Sequence, residues 1–192
     1  GAIYGAGEDL ARALEGIGEA PRLLVRAGLE VKKYPMCYAT HRALDGLLDL
    51  KADTGIGLGE VAAVEVEGSH RAFAPLLHDR PRTGLEAKFS LPYAVAAALA
   101  DGRVTLASFE DAAVRRPEIQ AFLPLVTKRE ADGPLNPRYA EITVRLRDGR
   151  ALRRRVEALR GGAALPLSEA DLVAKLADCL AHAGIAADAE RV

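Results

Sequence analysis

The sequence contains little cysteine, and its cysteines are far apart. Cys37 and Cys179 are the only two among 192 residues. Two distant cysteines argue against a disulfide framework, and no CxxC pair indicates a zinc site or an iron–sulfur cluster. We therefore expect no metal and no cofactor, and a reducing cytoplasm as the compartment.

Long apolar runs and an excess of either charge are missing as well. The most apolar stretch, Tyr93 to Leu99, is too short to cross a membrane. The first residues, Gly1 to Gly7, lack the basic segment that opens a signal peptide. The formal net charge is -1, so no global attraction draws the chain to nucleic acid or to an anionic membrane. We expect neither as a partner.

What is present predicts a globular chain with mixed elements. Hydrophobic residues make up 49% of the chain and charged residues 28%, which is ordinary for a folded domain. A short helix is predicted over Glu8–Ile17 and a strand over Leu23–Val31. An amphipathic helix follows, with its apolar stripe over Thr40–Leu50, Asp45 and Asp49 on its solvent face, and Gly55 and Gly57 closing it. Alternation then predicts a half-buried strand over Val61–Glu67.

The second half carries clearer local signals. A loop over residues 78–84 precedes a helix over Glu86–Leu99, which Pro92 allows to begin as late as Ser90. Alternating residues on both sides of Asp148-Gly149 predict a β-hairpin closed by a type I′ turn. The spacing of Ser168 and Asp171 then predicts the capped start of a last helix.

These elements mix without a regular strand–helix–strand alternation. The pattern predicts an α+β fold, with a small antiparallel or mixed sheet and helices packed on it. We expect one domain over residues 1–192.

The segment from Lys32 to His41 (KKYPMCYATH) gathers a cation, phenols, a thiol and an imidazole. Lys32 could anchor a carboxylate substrate, or it could be a solvated lysine at the end of a strand. Cys37 could be a nucleophile or a small apolar group. His41, at the start of a helix, is favoured in its neutral form and could act as a base or as a cap.

A second group comprises Lys88, Ser90 and Tyr93. If the helix begins near Ser90, that serine is its N-cap and Tyr93 lies in the first turn, at a place suited to anions. The alternative is a satisfied cap with a half-buried phenol. In the loop before it, Arg82 could bind a carboxylate through two hydrogen bonds, or it could be solvated.

Taken together, the two segments resemble the MmgE/PrpD family. The matching residues are Lys32 to His41, the helix that follows them, and Glu86 to Gly102 (EAKFSLPYAVAAALADG). The family includes 2-methylcitrate dehydratases, cis-aconitate decarboxylases and iminodisuccinate epimerases. The resemblance implies that this chain is the smaller α+β domain of a two-domain protein, with a helical domain that this sequence does not contain.

The resemblance also implies roles for individual residues. Lys32 corresponds to a site lysine near the substrate carboxylates, Tyr93 to a site tyrosine, and His41 to the histidine of the motif. Cys37 takes a position that is histidine in the decarboxylase pattern. Because a thiol replaces an acid/base imidazole there, dehydration or epimerisation is favoured over decarboxylation.

The implied reaction is the metal-independent dehydration of a small polycarboxylate such as 2-methylcitrate. A proton α to a carboxylate is removed, and loss of the β-hydroxyl follows. On this reading Lys32, Tyr93 and His41 are catalytic, and Lys88, Ser90, Arg82 and Cys37 bind substrate. Epimerisation of a dicarboxylate is the alternative, as is a non-catalytic substrate-binding or dimerisation domain. The expected partners are the substrate, the helical domain and a second copy of the protein.

Overall fold

The structure, a computed structural model, describes residues 11, 14–20, 25 and 28–186. Half of the helix predicted over Glu8–Ile17 lies outside these residues. The strand predicted over Leu23–Val31 is wrong where it can be compared, because residues 28–31 belong to no strand. Instead the Val31 N–H donates to the carbonyl of Gly161 at 2.7 Å. One bond to a distant turn therefore holds this segment, in place of a sheet ladder.

A mixed sheet of four strands forms the centre of the described chain. The strands are β1 (Val61–Gly68), β2 (Val126–Glu130), β3 (Ala140–Leu146) and β4 (Ala151–Val156), in the order β2-β1-β3-β4. β1 pairs in parallel with β2 and antiparallel with β3, and β3 pairs antiparallel with β4. The sheet and the helices on it confirm the α+β prediction.

Helices cover the sheet and fill the connections between its strands. Those with bounds inside residues 28–186 are α1 (His41–Thr54), α2 (Gly84–Ala87), α3 (Leu91–Asp101), α4 (Asp111–Val114), α5 (Pro117–Phe122) and α6 (Glu169–His182). No helix among the described residues is long and apolar enough to cross a membrane.

Helix α1 packs on β3 and β4 through its apolar stripe. Leu44 and Leu47 are buried in the core. Gly46 allows the close approach, because a Cβ there would lie 2.5 Å from Cδ1 of Ile142. The helix ends at Gly55, whose φ of 73° is the left-handed conformation that glycine adopts most easily. The predicted close of the helix at Gly55 is therefore confirmed.

The helix predicted over Glu86–Leu99 is divided in two at Ser90. Pro92 has no N–H to continue a helix from before that point, and the Ser90 hydroxyl accepts a hydrogen bond from the Tyr93 N–H at 3.2 Å. Every residue from Leu91 to Leu99 is buried. α3 is therefore an interior helix with no solvent face, which explains its continuous apolar sequence.

The hairpin between β3 and β4 is confirmed, but its turn is not type I′. Such a turn needs positive φ at both central residues. Among the described residues, Arg71 is the non-glycine residue with positive φ, so the φ of Asp148 is not positive. Gly149 does have positive φ, at 90°. The Gly149 N–H donates to Leu146, and the Leu146 N–H donates to Arg150. The loop therefore has three residues, with Gly149 in the left-handed position.

Gly84 at the start of α2 lies against the backbone of another segment. A Cβ at this position would be 1.7 Å from the carbonyl oxygen of Phe109. Because a backbone atom cannot swing away, Gly84→Ala is expected to lower the free energy of unfolding by at least about 2 kcal/mol. Urea titration measures the change. Gly59→Ala, where no atom lies within 4 Å of the added carbon, is the matched control. Equal midpoints for the two variants would contradict the close approach.

Candidate functional site

The segment Lys32–His41 crosses the N-terminal end of α1 and is fixed by backbone contacts. Besides the bond at Val31, the Cys37 N–H donates to the carbonyl of Lys88 at 2.9 Å. The Thr40 hydroxyl donates to the carbonyl of Cys37 at 2.8 Å. The segment thereby presents some side chains to solvent and buries others. Lys32 is exposed, whereas His41 is buried.

Tyr34, next to the two lysines, reaches into the protein and binds a buried carboxylate. Its hydroxyl donates to Oδ1 of Asp45 at 2.8 Å. The Arg160 N–H donates to Oδ2 of the same carboxylate at 3.2 Å, and the Arg160 side chain pairs with Asp49 at 3.0 Å. Asp45 is only 2% exposed, so its predicted solvent position is wrong. Burial raises the pKa of Asp45, and burial also raises the pKa of Tyr34.

His41 lies between two phenol rings. Its ring centroid is 5.1 Å from that of Tyr34 and 4.8 Å from that of Tyr38, with both pairs edge to face. Neither ring nitrogen has a hydrogen-bond partner among the described residues. Burial lowers the pKa of His41 to about 4, and the charges of Lys32 and Lys175 contribute. The imidazole is therefore neutral at pH 7, as predicted, but it is enclosed.

The lowered pKa of His41 predicts a stability that depends on pH. The folded chain binds a proton at His41 less well than the unfolded chain does. The stability that this group contributes is therefore fully present above pH 6.5 and is lost as the pH falls toward about 4. When the pH is lowered from 7 to 5, protonation of His41 should reduce the free energy of unfolding by about 2 kcal/mol. Urea titrations across this range provide the measurement.

Two histidine variants separate this effect from the other titrating groups. His41→Gln should be less stable at pH 7 but should lose the extra slope between pH 7 and pH 5. His182→Gln, at an exposed position, should keep the slope of the unmodified chain. A slope unaltered by His41→Gln would show that another group is responsible.

A cavity of about 870 Å³ separates this segment from α6. Lys33 lies on its wall and pairs with Asp171 of α6 at 2.8 Å, while Lys175 and Asp178 line it from the helix. Cations and carboxylates are therefore mixed in this cavity. Lys32 differs from its neighbour, because it makes no ion pair with any described residue.

The residues of the second predicted group lie apart from Lys32. Ser90 is the buried N-cap of α3. Tyr93 is fully buried and donates its hydroxyl to the carbonyl of Ser108. Burial raises the pKa of Tyr93 to about 12. A substrate role for either residue remains a prediction, and their visible contacts are those of a packed helix.

The remaining predicted binding residues have different surroundings. Lys88 is half-buried, and its ammonium lies 5.7 Å from the ring centroid of Phe109. Arg82 is exposed, and its backbone carbonyl accepts a hydrogen bond from Arg115 at 2.9 Å. Cys37 packs against the core with part of its surface exposed. The backbone bond between Cys37 and Lys88 links the two predicted groups.

Sequence reasoning missed the charged side chains on the other side of the segment. A second cavity of about 360 Å³ contains Tyr38, Arg42, Arg71 and Arg138. Local patterns gave no signal for it, because its charged residues come from three separate places in the chain. Among the described residues no group of three or more histidine, cysteine, aspartate or glutamate side chains is arranged to hold a metal ion.

The fold and the segment define an α+β domain with a polar, cation-bearing face at the start of α1. Comparison with known families gives this domain its class. The profile of the MmgE/PrpD C-terminal domain matches residues 34–192. The chain belongs to the MmgE/PrpD family.

Two curated relatives are cis-aconitate decarboxylases. The protein from Mus musculus is 34% identical over 95 residues, which are 48% of this chain and 20% of that protein. The protein from Homo sapiens is 34% identical over 96 residues, which are 47% of this chain and 19% of that protein. The match thus spans about a fifth of each relative. These proteins show that the family contains lyases.

Proposed function

We propose that this chain forms one wall of the active site of a metal-independent dehydratase that acts on small polycarboxylates such as 2-methylcitrate. The observation that carries the proposal is Lys32, an exposed cation without an ion pair among the described residues. A substrate with several carboxylates can bind such a cation without first displacing a protein carboxylate. The family membership and the lyase relatives support the same reaction class.

The proposed chemistry begins with the removal of a proton α to a carboxylate. Negative charge then develops on the substrate, and the Lys32 ammonium stabilises it at the rim of the cleft. The electron pair of the broken C–H bond forms the double bond and expels the β-hydroxyl, which leaves as water with the proton that a base of the helical domain removed. His41 is enclosed by Tyr34 and Tyr38 in this domain, and its catalytic role stays a prediction.

The matched segment makes up about a fifth of each curated relative, which supports a partner domain that completes the site. We propose the helical domain of the same protein as that partner, with a homodimer as the assembly. We also propose that the protein is located in the cytoplasm.

Three other functions remain candidates. Decarboxylation is favoured by the names of the curated relatives, and epimerisation shares the initial proton removal. A non-catalytic binding or dimerisation domain is the third, since the match covers only a fifth of those relatives. The products distinguish them: an alkene and water, carbon dioxide, a stereoisomer, or no conversion.

The test uses the complete protein and this chain in parallel. Each is incubated in D₂O with 2-methylcitrate and, separately, with cis-aconitate, and NMR follows deuterium uptake and product formation. We expect dehydration by the complete protein and none by this chain alone. Deuterium uptake with return of the other stereoisomer would replace dehydration by epimerisation. Absence of exchange in both preparations would leave the non-catalytic role.

A further inference from the structure

Three arginines from distant parts of the chain line one cavity. Arg42 lies in the first turn of α1, Arg71 follows β1, and Arg138 precedes β3. We call this cavity the arginine cleft. Its volume is about 360 Å³, and Tyr38, Tyr139 and Glu30 also line it. Three guanidinium groups against one carboxylate give the lining a formal charge of +2.

None of these three arginines forms an ion pair within residues 28–186. Other arginines do, such as Arg160 with Asp49 at 3.0 Å. Nε of Arg42 donates to the carbonyl of Glu157 at 3.1 Å, and Arg138 donates to the carbonyl of Arg71 at 3.5 Å. Carbonyl groups orient two of the guanidinium groups but carry no charge to neutralise them. The cleft therefore holds uncompensated positive charge.

The loop that carries Arg71 is held in an unusual conformation. Arg71 has a φ of 55°, a backbone angle that residues with a Cβ rarely adopt. The Glu130 carboxylate stabilises this turn by accepting hydrogen bonds from the N–H groups of Arg71 at 3.1 Å and Phe73 at 2.7 Å. A strained, tightly bonded loop presenting a cation is typical of a binding site.

Tyr38 connects the cleft to the segment Lys32–His41. Its hydroxyl is buried, and the Glu30 carboxylate lies close enough to act on it. Burial and the nearby Glu30 raise the pKa of Tyr38 to about 12, so the group is a neutral donor. A neutral hydroxyl at this position can donate a hydrogen bond to an acceptor oxygen in the cleft.

We propose that the arginine cleft binds a small di- or tricarboxylate, with Arg71 and Arg138 each holding a carboxylate. A guanidinium group matches a carboxylate through two parallel hydrogen bonds, and a neutral ligand would leave the charge uncompensated. A cavity of this size accommodates a small organic acid. The identification of the ligand as the substrate rests on the proposed function, whereas the dependence of binding on the arginines does not.

The test is direct binding of tricarballylate, an unreactive tricarboxylate, to the complete protein. Isothermal titration at fixed salt compares the unmodified protein with the double variant R71Q/R138Q. We expect Kd to rise at least about tenfold, because charge-assisted hydrogen bonds are lost. The double variant R145Q/R153Q removes the same charge from exposed positions on β3 and β4 and should stay within about twofold of the unmodified protein.

Labelling locates the binding. Phenylglyoxal modifies accessible arginines, and mass spectrometry should show protection of Arg42, Arg71 and Arg138 by tricarballylate. Failure of the unmodified protein to bind, equal Kd values for the two double variants, or absence of protection would each overturn the proposal. Arginine-dependent binding without turnover of any polycarboxylate would overturn the proposed dehydratase alone. Turnover with arginine-independent binding would overturn the cleft alone.

Discussion

Lys32→Ala in the complete protein is expected to lower kcat/KM for the true substrate by about 10²–10³-fold. The lysine is exposed on this domain and unpaired among the described residues, so its charge is free to meet the negative charge that develops in the transition state. If it acts on that charge, kcat should fall along with kcat/KM. A change confined to KM would mean that it only anchors the substrate.

Lys33 provides the matched control for this experiment. It carries the same charge one residue away, but its ammonium is paired with Asp171 at 2.8 Å. Lys33→Ala should therefore lower kcat/KM by less than about tenfold, because it removes a half-exposed ion pair with a small net effect. Equal effects of the two substitutions, or full activity of Lys32→Ala, would contradict the role proposed for Lys32.

Asp45→Ala is expected to lower the free energy of unfolding by about 3 kcal/mol. The substitution leaves the Tyr34 hydroxyl and the Arg160 N–H without their acceptor, and it opens a void beneath the segment Lys32–His41. Both donors are held at that carboxylate, so neither can reach water without a local rearrangement. Chemical denaturation of the chain measures the loss.

Asp49→Ala tests whether burial, as opposed to charge, causes the loss. Asp49 pairs with the same Arg160, yet its side chain is 33% exposed, so its removal should cost no more than about 1 kcal/mol. Asp45→Asn keeps the size of the side chain and can still accept a hydrogen bond from the Tyr34 hydroxyl. Its loss of unfolding free energy should lie between the losses of the two alanine variants. Similar losses for Asp45→Ala and Asp49→Ala would contradict the importance of the buried carboxylate.

The sequence predicted those elements whose signals are local. The stripe of Leu44 and Leu47 marks α1, and Pro92 with Ser90 marks the start of α3, since capping depends on neighbours within one turn. β2 was missed, because an edge strand that buries only Val126 shows no alternation. The strand expected at Leu23–Val31 fails for residues 28–31, because an apolar run does not show whether a partner strand is present.

The candidate site was predicted only in part. The neutral form of His41 followed from its place at a helix start, but its enclosure between two phenols did not. Asp45 was assigned to solvent because helical periodicity separates polar from apolar faces. That assignment failed because its partners lie 11 and 115 residues away in the chain. The arginine cleft was not predicted either, because its residues are also far apart in the chain.

The sequence by itself determined the α+β class, the hairpin and the family motif, because these depend on the order of neighbouring residues. Only the tertiary structure decided which members of the motif are exposed and which are buried or paired. Burial and charge compensation depend on residues brought together by folding, and they separate the exposed Lys32 from the paired Lys33 and the enclosed His41. The same long-range packing assembled the three unpaired arginines.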